Sequence, residues 1–391
     1  MQFNEPIKFF FYAGLLLLAS PVLLLWARFR KGKLRPTAPK ILVIPVLTRV
    51  GDLVSATPVF REIKIKYSKS YLTVISAGKA IGVLENNPRI DELININKEP
   101  FRGLFGRGRL YLHLMKKGFD FAFTLPPSPF GSLLALSSLA PFRVKTVFPS
   151  RSMAERLTDW LNTELKPYKA GEFLPGHYLS LLQTVGINGA DVVKEVFITA
   201  EGEKKVSEFL ASNGISGGDF LVGIAPSAGS KRKEWPMERF AVVADALAEK
   251  FKARVVIIDG AAGREKAGKF QSMIKGSRTA FAAVDFNLRE LSSLMKRLSL
   301  FISVDTGPIH IAEALGVPAV DILGTETPGE MAPRSVRCLV LQPRGVPPVF
   351  SVTGVVGALN RAREAVLSIT VLDVLGAVDE LVKRGAIKIK N

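Results

Sequence analysis

KILVIPVLTRVGDLVSATPVFREIKIKY, residues Lys40 to Tyr67, opens with a short continuous apolar run, Lys40 to Leu47, of the kind buried on both faces in a parallel sheet. TPVFREIKIKY then takes the spacing of a helix, so a strand, a loop holding Gly51 and Asp52, and a helix follow one another. Working outward, SYLTVISAG (Ser70 to Gly78), DELININ (Asp91 to Asn97) and DFAFTL (Asp120 to Leu125) read as further strands with helical or loop segments between them. Strands alternating with helices predict an open α/β sheet. The basic, mixed stretch from Pro149 to Gly176 shows no clean period and is expected to be loops and short helices.

The pattern then restarts. EKKVSEFLASNGI is an amphipathic helix ended by Gly214, and DFLVGIAPSAG (Asp219 to Gly229) is a strand entering a glycine-containing loop. ARVVIIDG (Ala253 to Gly260), SLFISVDTG (Ser299 to Gly307) and VPAVDILG (Val317 to Gly324) supply further strands. Two doubly wound, Rossmann-like domains are therefore expected, over 38–200 and 201–391. In such sheets ligands sit beyond the carboxyl ends of the strands, which directs attention to the loops after Val46, Ala225, Asp259, Val304 and Leu323 and to a cleft between the domains.

Composition narrows the partners. The 391 residues, 48% apolar, suffice for two cores, and the single cysteine, Cys338, excludes a disulfide framework. A formal charge of +18 points to phosphate-bearing partners: nucleic acid, anionic lipid or a sugar phosphate. No zinc spacing or RNA-binding aromatic signature appears, so nucleic acid is not expected. Residues 9–27, FFFYAGLLLLASPVLLLWA, run without a charge for long enough to cross a bilayer of about 30 Å. Only Lys8 precedes the run, whereas Arg28, Arg30, Lys31, Lys33 and Arg35 follow it, the reverse of a cleaved signal peptide. Residues 1–37 thus read as a single-pass membrane anchor with basic linker, the remainder cytoplasmic at the inner membrane. Pro21 equally permits a kinked or re-entrant helix.

Several strand-end residues carry chemistry, each with a plainer alternative. Asp52 is placed to accept a proton from an attacking hydroxyl or to cap the following helix, and Gly51 allows a substrate close approach or makes the turn. Thr57 lies with Ser55 and Pro58 in that helix's opening turn. APSAGSKRKEWP offers Ser227, Gly229, Ser230, Lys231, Arg232 and Lys233, small donors and cations suited to phosphate, or simply a solvated loop. SVDTGPIHIAEALG, Ser303 to Gly316, ends a strand at Asp305, Thr306 and Gly307 and starts a helix at Pro308 with His310 on its first turn. Such a helix mouth binds phosphate through amides and dipole, and His310 adds a hydrogen bond or a charge. Glu265, after the strand ARVVIIDG, is placed to hold ribose hydroxyls or to complement a helix dipole. GREKAGKF lacks the Ser or Thr of a P-loop and reads as a charged helix. No Asp-x-Asp occurs, and His113, His177 and His310 make no metal-ligand spacing, so neither a metal nor a cofactor is expected.

Together RVGDLVSATP, KEWP, DGAAGRE, VDTGPIHIAEALGVP and GTETP occur in the order seen in lipopolysaccharide heptosyltransferases, glycosyltransferase family 9, which the chain resembles from about Lys40 to its end. The resemblance implies a GT-B fold, two Rossmann-like domains facing a cleft, the first holding the acceptor and the second a nucleotide sugar, usually ADP-heptose. It implies that Asp52 is the base that deprotonates the acceptor and that Lys233, the lysine of K-x-W-P, contacts the diphosphate. Asp305, Thr306, Gly307 and His310 then surround sugar and phosphates, and Glu265 lies near ribose or adenosine. Where relatives often show G-x-T-x-P, this chain has Glu326 at the centre of GTETP. The expected activity is metal-independent, inverting transfer of a heptose or related sugar to a lipopolysaccharide or other glycolipid beside inner-membrane lipids. Two other readings fit the same fold: a non-catalytic nucleotide-sugar-fold scaffold at the membrane, and a transferase using a different nucleotide sugar.

Overall fold

The computed structural model describes residues 5–46, 48–275 and 280–388, with side-chain burial from residue 12 onward. Two compact units result, Met1–Val193 and Lys194–Asn391.

The first unit begins with helix α1 (Glu5–Arg30) and continues β1 (Lys40–Ile44), α2 (Val50–Ser55), α3 (Thr57–Lys66), β2 (Tyr71–Ser76), β3 (Glu92–Asn95), α4 (Gly103–Lys117), β4 (Phe121–Thr124), α5 (Pro129–Ser137), β5 (Phe142–Val147), α6 (Met153–Asp159), β6 (Glu164–Pro167) and α7 (Leu174–Leu182). Its six strands lie in the order β3-β2-β1-β4-β5-β6, every neighbouring pair parallel. β1 stops at Ile44, and Leu47, where the predicted strand ended, lies outside the described residues. The run expected to be loops and short helices contains α6 and strand β6, with β5 just before it. Charges hid this edge of the sheet: β5 carries Arg143 and Lys145 into the interior, where Lys145 pairs with Asp159 at 2.9 Å and Arg143 donates to Leu161 O at 2.7 Å.

The second unit runs α8 (Ala200–Ser212), β7 (Leu221–Ala225), α9 (Met237–Phe251), β8 (Arg254–Ile258), α10 (Arg264–Met273), β9 (Ala280–Ala283), α11 (Leu288–Arg297), β10 (Leu300–Val304), α12 (Gly307–Ala314), β11 (Ala319–Ile322), α13 (Pro328–Met331), β12 (Cys338–Leu341), a two-stranded β13–β14 ribbon (Phe350–Ser351, Gly354–Val355), α14 (Ala362–Ser368) and α15 (Val371–Lys383). Gly214, past the end of α8, takes φ +62°, a left-handed residue that stops a helix. The sheet order is β12-β11-β10-β7-β8-β9, again all parallel. The core between sheet and helices gathers Val222, Ile224, Phe240, Val255, Ile257, Ile302 and Val320.

The two sheets share one winding. In each, the chain starts at a central strand, builds to one side, then crosses to the other, so direction reverses between β1 and β4 and between β7 and β10. Loops leaving the carboxyl ends of those strands diverge at the reversal and open a crevice.

Candidate functional site

In the first unit, the loop leaving β1 delivers Gly51 and Asp52 to the β1–β4 reversal. Asp52 is not the N-cap residue of its helix. The N-cap of α2 is Arg49, in extended conformation and without a side-chain cap, and Asp52 sits inside the first turn, 8% exposed. Burial first, and then the Asp52 charge, push the Tyr178 phenol on α7 well above its usual range, which makes Tyr178 an electrostatic neighbour of Asp52. Gly51 is buried, and the fully buried Thr57 donates its hydroxyl to Val54 O at 2.7 Å, so Thr57 fixes the step from α2 to α3.

In the second unit, the loop leaving β7 carries Ser227 and, on a short 3₁₀ turn, Lys233. Trp235 anchors this loop: it is buried, meets Phe240 edge-on at 4.8 Å and donates Nε1–H to Ile369 O at 2.8 Å. So held, Lys233 Nζ lies 3.2 Å from Asp305 Oδ2, which leaves β10, and 2.7 Å from Glu326 Oε1, which leaves β11. Burial works against the Lys233 charge, but the two carboxylates outweigh it and hold its pKa above the ordinary lysine value. Burial moves the Glu326 carboxyl the other way, upward, against the pull of Lys233. The residue that departs from the family pattern is thus the second partner of the site lysine.

Helix α12 begins between these groups. Its N-cap, Thr306, is extended and makes no side-chain cap, and the Thr306 hydroxyl oxygen, shielded from solvent, has no hydrogen-bond partner among the described residues. Pro308 lacks an N–H and the Ile309 amide donates to Thr306 O, so Gly307 supplies the amide at the helix mouth. One turn on, His310 is buried, with Nδ1 3.0 Å from Lys194 Nζ. Lysine has only protons to give, so Nδ1 accepts and the ring's remaining proton lies on Nε2. Burial, then the Lys194 and Lys233 charges, drive the His310 pKa well below its usual value. Of the two roles open to it, charge or neutral donor, the surroundings select the neutral donor. Lys194 is itself held by Glu313 at 2.6 Å.

The remaining expected residues lie farther along the strand ends. Ser227 donates to Asp259 Oδ2 at 2.6 Å, and Asp259 Oδ1 accepts from the Gly260 amide at 2.7 Å. A Cβ at Gly263 would lie 2.2 Å from Asp259 Cγ, so a larger residue there would displace the Asp259 carboxylate from Ser227. Glu265 is exposed on the first turn of α10, joined by no bond to the Lys233 group. Sequence reasoning therefore placed Lys233, Asp305, Thr306, Gly307 and His310 in what proves to be one cluster. It missed Lys194, Asp259, Tyr178 and Asp321. Asp321 faces Ser303 across β10–β11, is fully buried with neither carboxyl oxygen partnered among the described residues, and has its pKa pushed well above the usual value by burial and then by the nearby Asp305 charge. An acid inside the apolar run VPAVDILG was the available signal.

Such a cluster of a clamped cation, a helix-end amide, an idle hydroxyl and a neutral imidazole stabilises an anion with two or more oxygens. Residues 107–346 match glycosyltransferase family 9 (heptosyltransferase). The chain is 26% identical over 298 residues to the lipopolysaccharide core heptosyltransferase OpsX of Haemophilus influenzae, covering 76% of this chain and 82% of that one. It is 26% identical over 281 residues to lipopolysaccharide heptosyltransferase 3 of Escherichia coli K12, covering 70% and 79%. Among solved structures it resembles the glycosyl transferase family 9 protein of Veillonella parvula (TM-score 0.75, 23% identity, 88% of this chain and 98% of that chain). It also resembles E. coli ADP-heptose lps heptosyltransferase II (TM-score 0.70, 19% identity, 88% and 99%). The match runs from α4 through β4 of the first unit and takes in the whole Lys233 cluster of the second: this chain is a glycosyltransferase and belongs to family 9.

Proposed function

We propose that the protein is an inverting, metal-independent heptosyltransferase that moves a heptose from ADP-heptose to a lipopolysaccharide or related glycolipid at the cytoplasmic face of the inner membrane. The observation that carries this reading is the clamped Lys233 beside the uncapped mouth of α12, at the switch point of the second sheet. The names of the relatives supply heptose as the sugar and lipopolysaccharide as the acceptor. In the GT-B arrangement implied by the motifs, the first unit takes the acceptor and the second the nucleotide sugar.

Asp52 removes the acceptor hydroxyl proton as that oxygen attacks the anomeric carbon from the face opposite the diphosphate. One displacement inverts the centre, and the C–O bond to the diphosphate breaks as the new one forms. Lys233, the Gly307 amide, the Thr306 hydroxyl and the Nε2–H of His310 stabilise the negative charge growing on the leaving phosphate. Asp305 and Glu326 hold Lys233 in place before the donor arrives. Glu326, whose carboxyl burial pushes above its usual range, releases the lysine when the diphosphate binds. Ser227, positioned by Asp259, and Glu265 take the nucleoside end. Helix α1 holds the enzyme at the membrane, where its acceptor resides.

The test is incubation of the full chain with ADP-, GDP- and UDP-sugars, following nucleotide release with and without a lipid A–core acceptor and with EDTA present. Acceptor-dependent ADP release from ADP-heptose, unchanged by EDTA, is expected. Acceptor-dependent release from a UDP- or GDP-sugar alone would replace the donor assignment, and abolition by EDTA would overturn the metal-independent mechanism.

A further inference from the structure

Helix α1 has two apolar faces with different fates. Leu16, Ser20, Leu23 and Ala27, spaced as one side of a helix, are buried. Leu16 and Leu23 join the core formed with Leu110, Tyr111 and Leu114 of α4 and Leu133 and Leu134 of α5, and Tyr12 packs its ring 5.6 Å from that of Tyr111. The opposite face leaves Leu15, Leu18, Val22, Leu25, Trp26 and Phe29 between 48% and 82% exposed. An apolar surface of this continuity marks a protein or membrane contact.

Neighbouring helices extend it. Phe105, one turn before the Gly108 that abuts Tyr12, is 80% exposed. Met153, Leu157 and Trp160 line one exposed side of α6, which packs on α5 as α1 does. The charge around this surface is predominantly positive, Glu155 on α6 and Glu99 being exceptions. No acidic residue occurs between Glu5 and Asp52, and Arg28, Lys31, Lys33, Arg102, Arg109 and Arg156 are exposed at its margins. Apolar side chains bordered by cations complement the boundary between acyl chains and anionic headgroups.

A straight span conflicts with the packing. Crossing the bilayer while packed would draw α4, with Arg107, Arg109, Lys116 and Lys117, into hydrocarbon, where each charge costs about 2.5–3.5 kcal/mol at the centre. Crossing alone would strip the core from Leu110, Tyr111 and Leu133. We propose that α1 lies in the plane of an anionic leaflet, one face docked on the first unit and the other, Leu15 to Phe29, sunk into the headgroup–acyl boundary. The inference rests on the membrane part of the proposed function and on neither donor nor acceptor identity.

Leu15, Val22 and Phe29 share the outer face at heptad spacing. Their cysteine variants, made in the full chain and nitroxide-labelled (Cys338 being buried), are bound to vesicles of phosphatidylcholine with and without phosphatidylglycerol. Power saturation then reads the depth of each label. In-plane docking predicts one shared shallow depth, about 5–10 Å below the phosphates, reached only with phosphatidylglycerol. A depth that changes by about 21 Å from 15 to 29, the helical rise, identifies a span and overturns the proposal. So do labels that never touch lipid and instead report a second copy by spin–spin broadening. As a second reading, the triple variant Leu18→Glu, Trp26→Glu, Phe29→Glu is expected to lose vesicle flotation while transferring sugar to a detergent-dispersed acceptor as wild type does; retained flotation contradicts the docking. A wild type that floats but transfers no sugar sinks the transferase reading and leaves this one standing.

Discussion

At the reversal point of the first sheet stands a carboxylate, Asp52, buried inside the first turn of α2 beside Tyr178. At the matching point of the second sheet stands a cation, Lys233, clamped by Asp305 and Glu326. The strand order is the same in both, so the winding provides a crevice in each, and in the proposed mechanism the loop residues decide whether it takes a proton or an anion. The contrast extends to the supports. The second site is cross-linked by charge among loops from three strands, whereas Asp52 belongs to the first turn of a single short helix and is buried there.

The contrast breaks most sharply at Lys233. Lys233→Met should lower kcat about a hundred- to a thousandfold, the loss of one donor to the leaving group, and weaken ADP binding by calorimetry; unchanged binding would place the diphosphate elsewhere. Lys194→Met should lower kcat about tenfold, near the worth of one hydrogen bond. Without the Lys194 charge the His310 pKa rises toward the usual value of about 6.5, so a new acid limb should enter the rate profile. Nitrogen-15 shifts of the His310 ring that stay in the Nε2–H form through the same range would exclude that role for Lys194. Glu326→Gln removes a competitor for Lys233 and should tighten ADP binding by up to about fivefold, the range of a partly exposed ion pair; weaker binding would make Glu326 a donor contact.

The smallest effect is on stability. The folded-state pKa of Asp321 lies above its unfolded value of about 3.9. Its stabilising contribution is therefore complete below that value and is lost as pH rises toward the folded one. Asp321→Asn should accordingly gain stability on wild type as pH rises from 5 to 8, read by urea unfolding. A variant that loses ground at the higher pH would mean that Asp321 is ionised and paired. His310 has the opposite sign: its folded pKa is depressed, so its contribution is present above about pH 6.5 and falls away with acid.

Legibility in the sequence followed local chemistry. The apolar runs of β1, β7, β8 and β10 announce themselves because both faces of a central parallel strand are buried. Toward the edges that signal fades: β5, next to the edge strand β6, hides Arg143 and Lys145 in the interior, and the edge strands β9 and β12 have four residues each. Site residues at strand ends next to glycine or proline were readable one by one. Their partnerships were not, since Lys194 reaches His310 across 116 residues from a segment without regular structure, and Glu326 meets Lys233 only through the folding of neighbouring strands. The two faces of α1 were hidden for a related reason. Hydropathy alone is the same on the side that packs on α4 and α5 and on the side that remains exposed.

The division of labour between the two switch points is tested most directly by Asp52→Asn, with single-turnover transfer and ADP binding measured on the same preparation. The account predicts that transfer falls about a hundred- to ten-thousandfold, the reach of general-base catalysis, while ADP affinity is unchanged. Transfer at the wild-type rate, or loss of ADP binding in step with transfer, would contradict it.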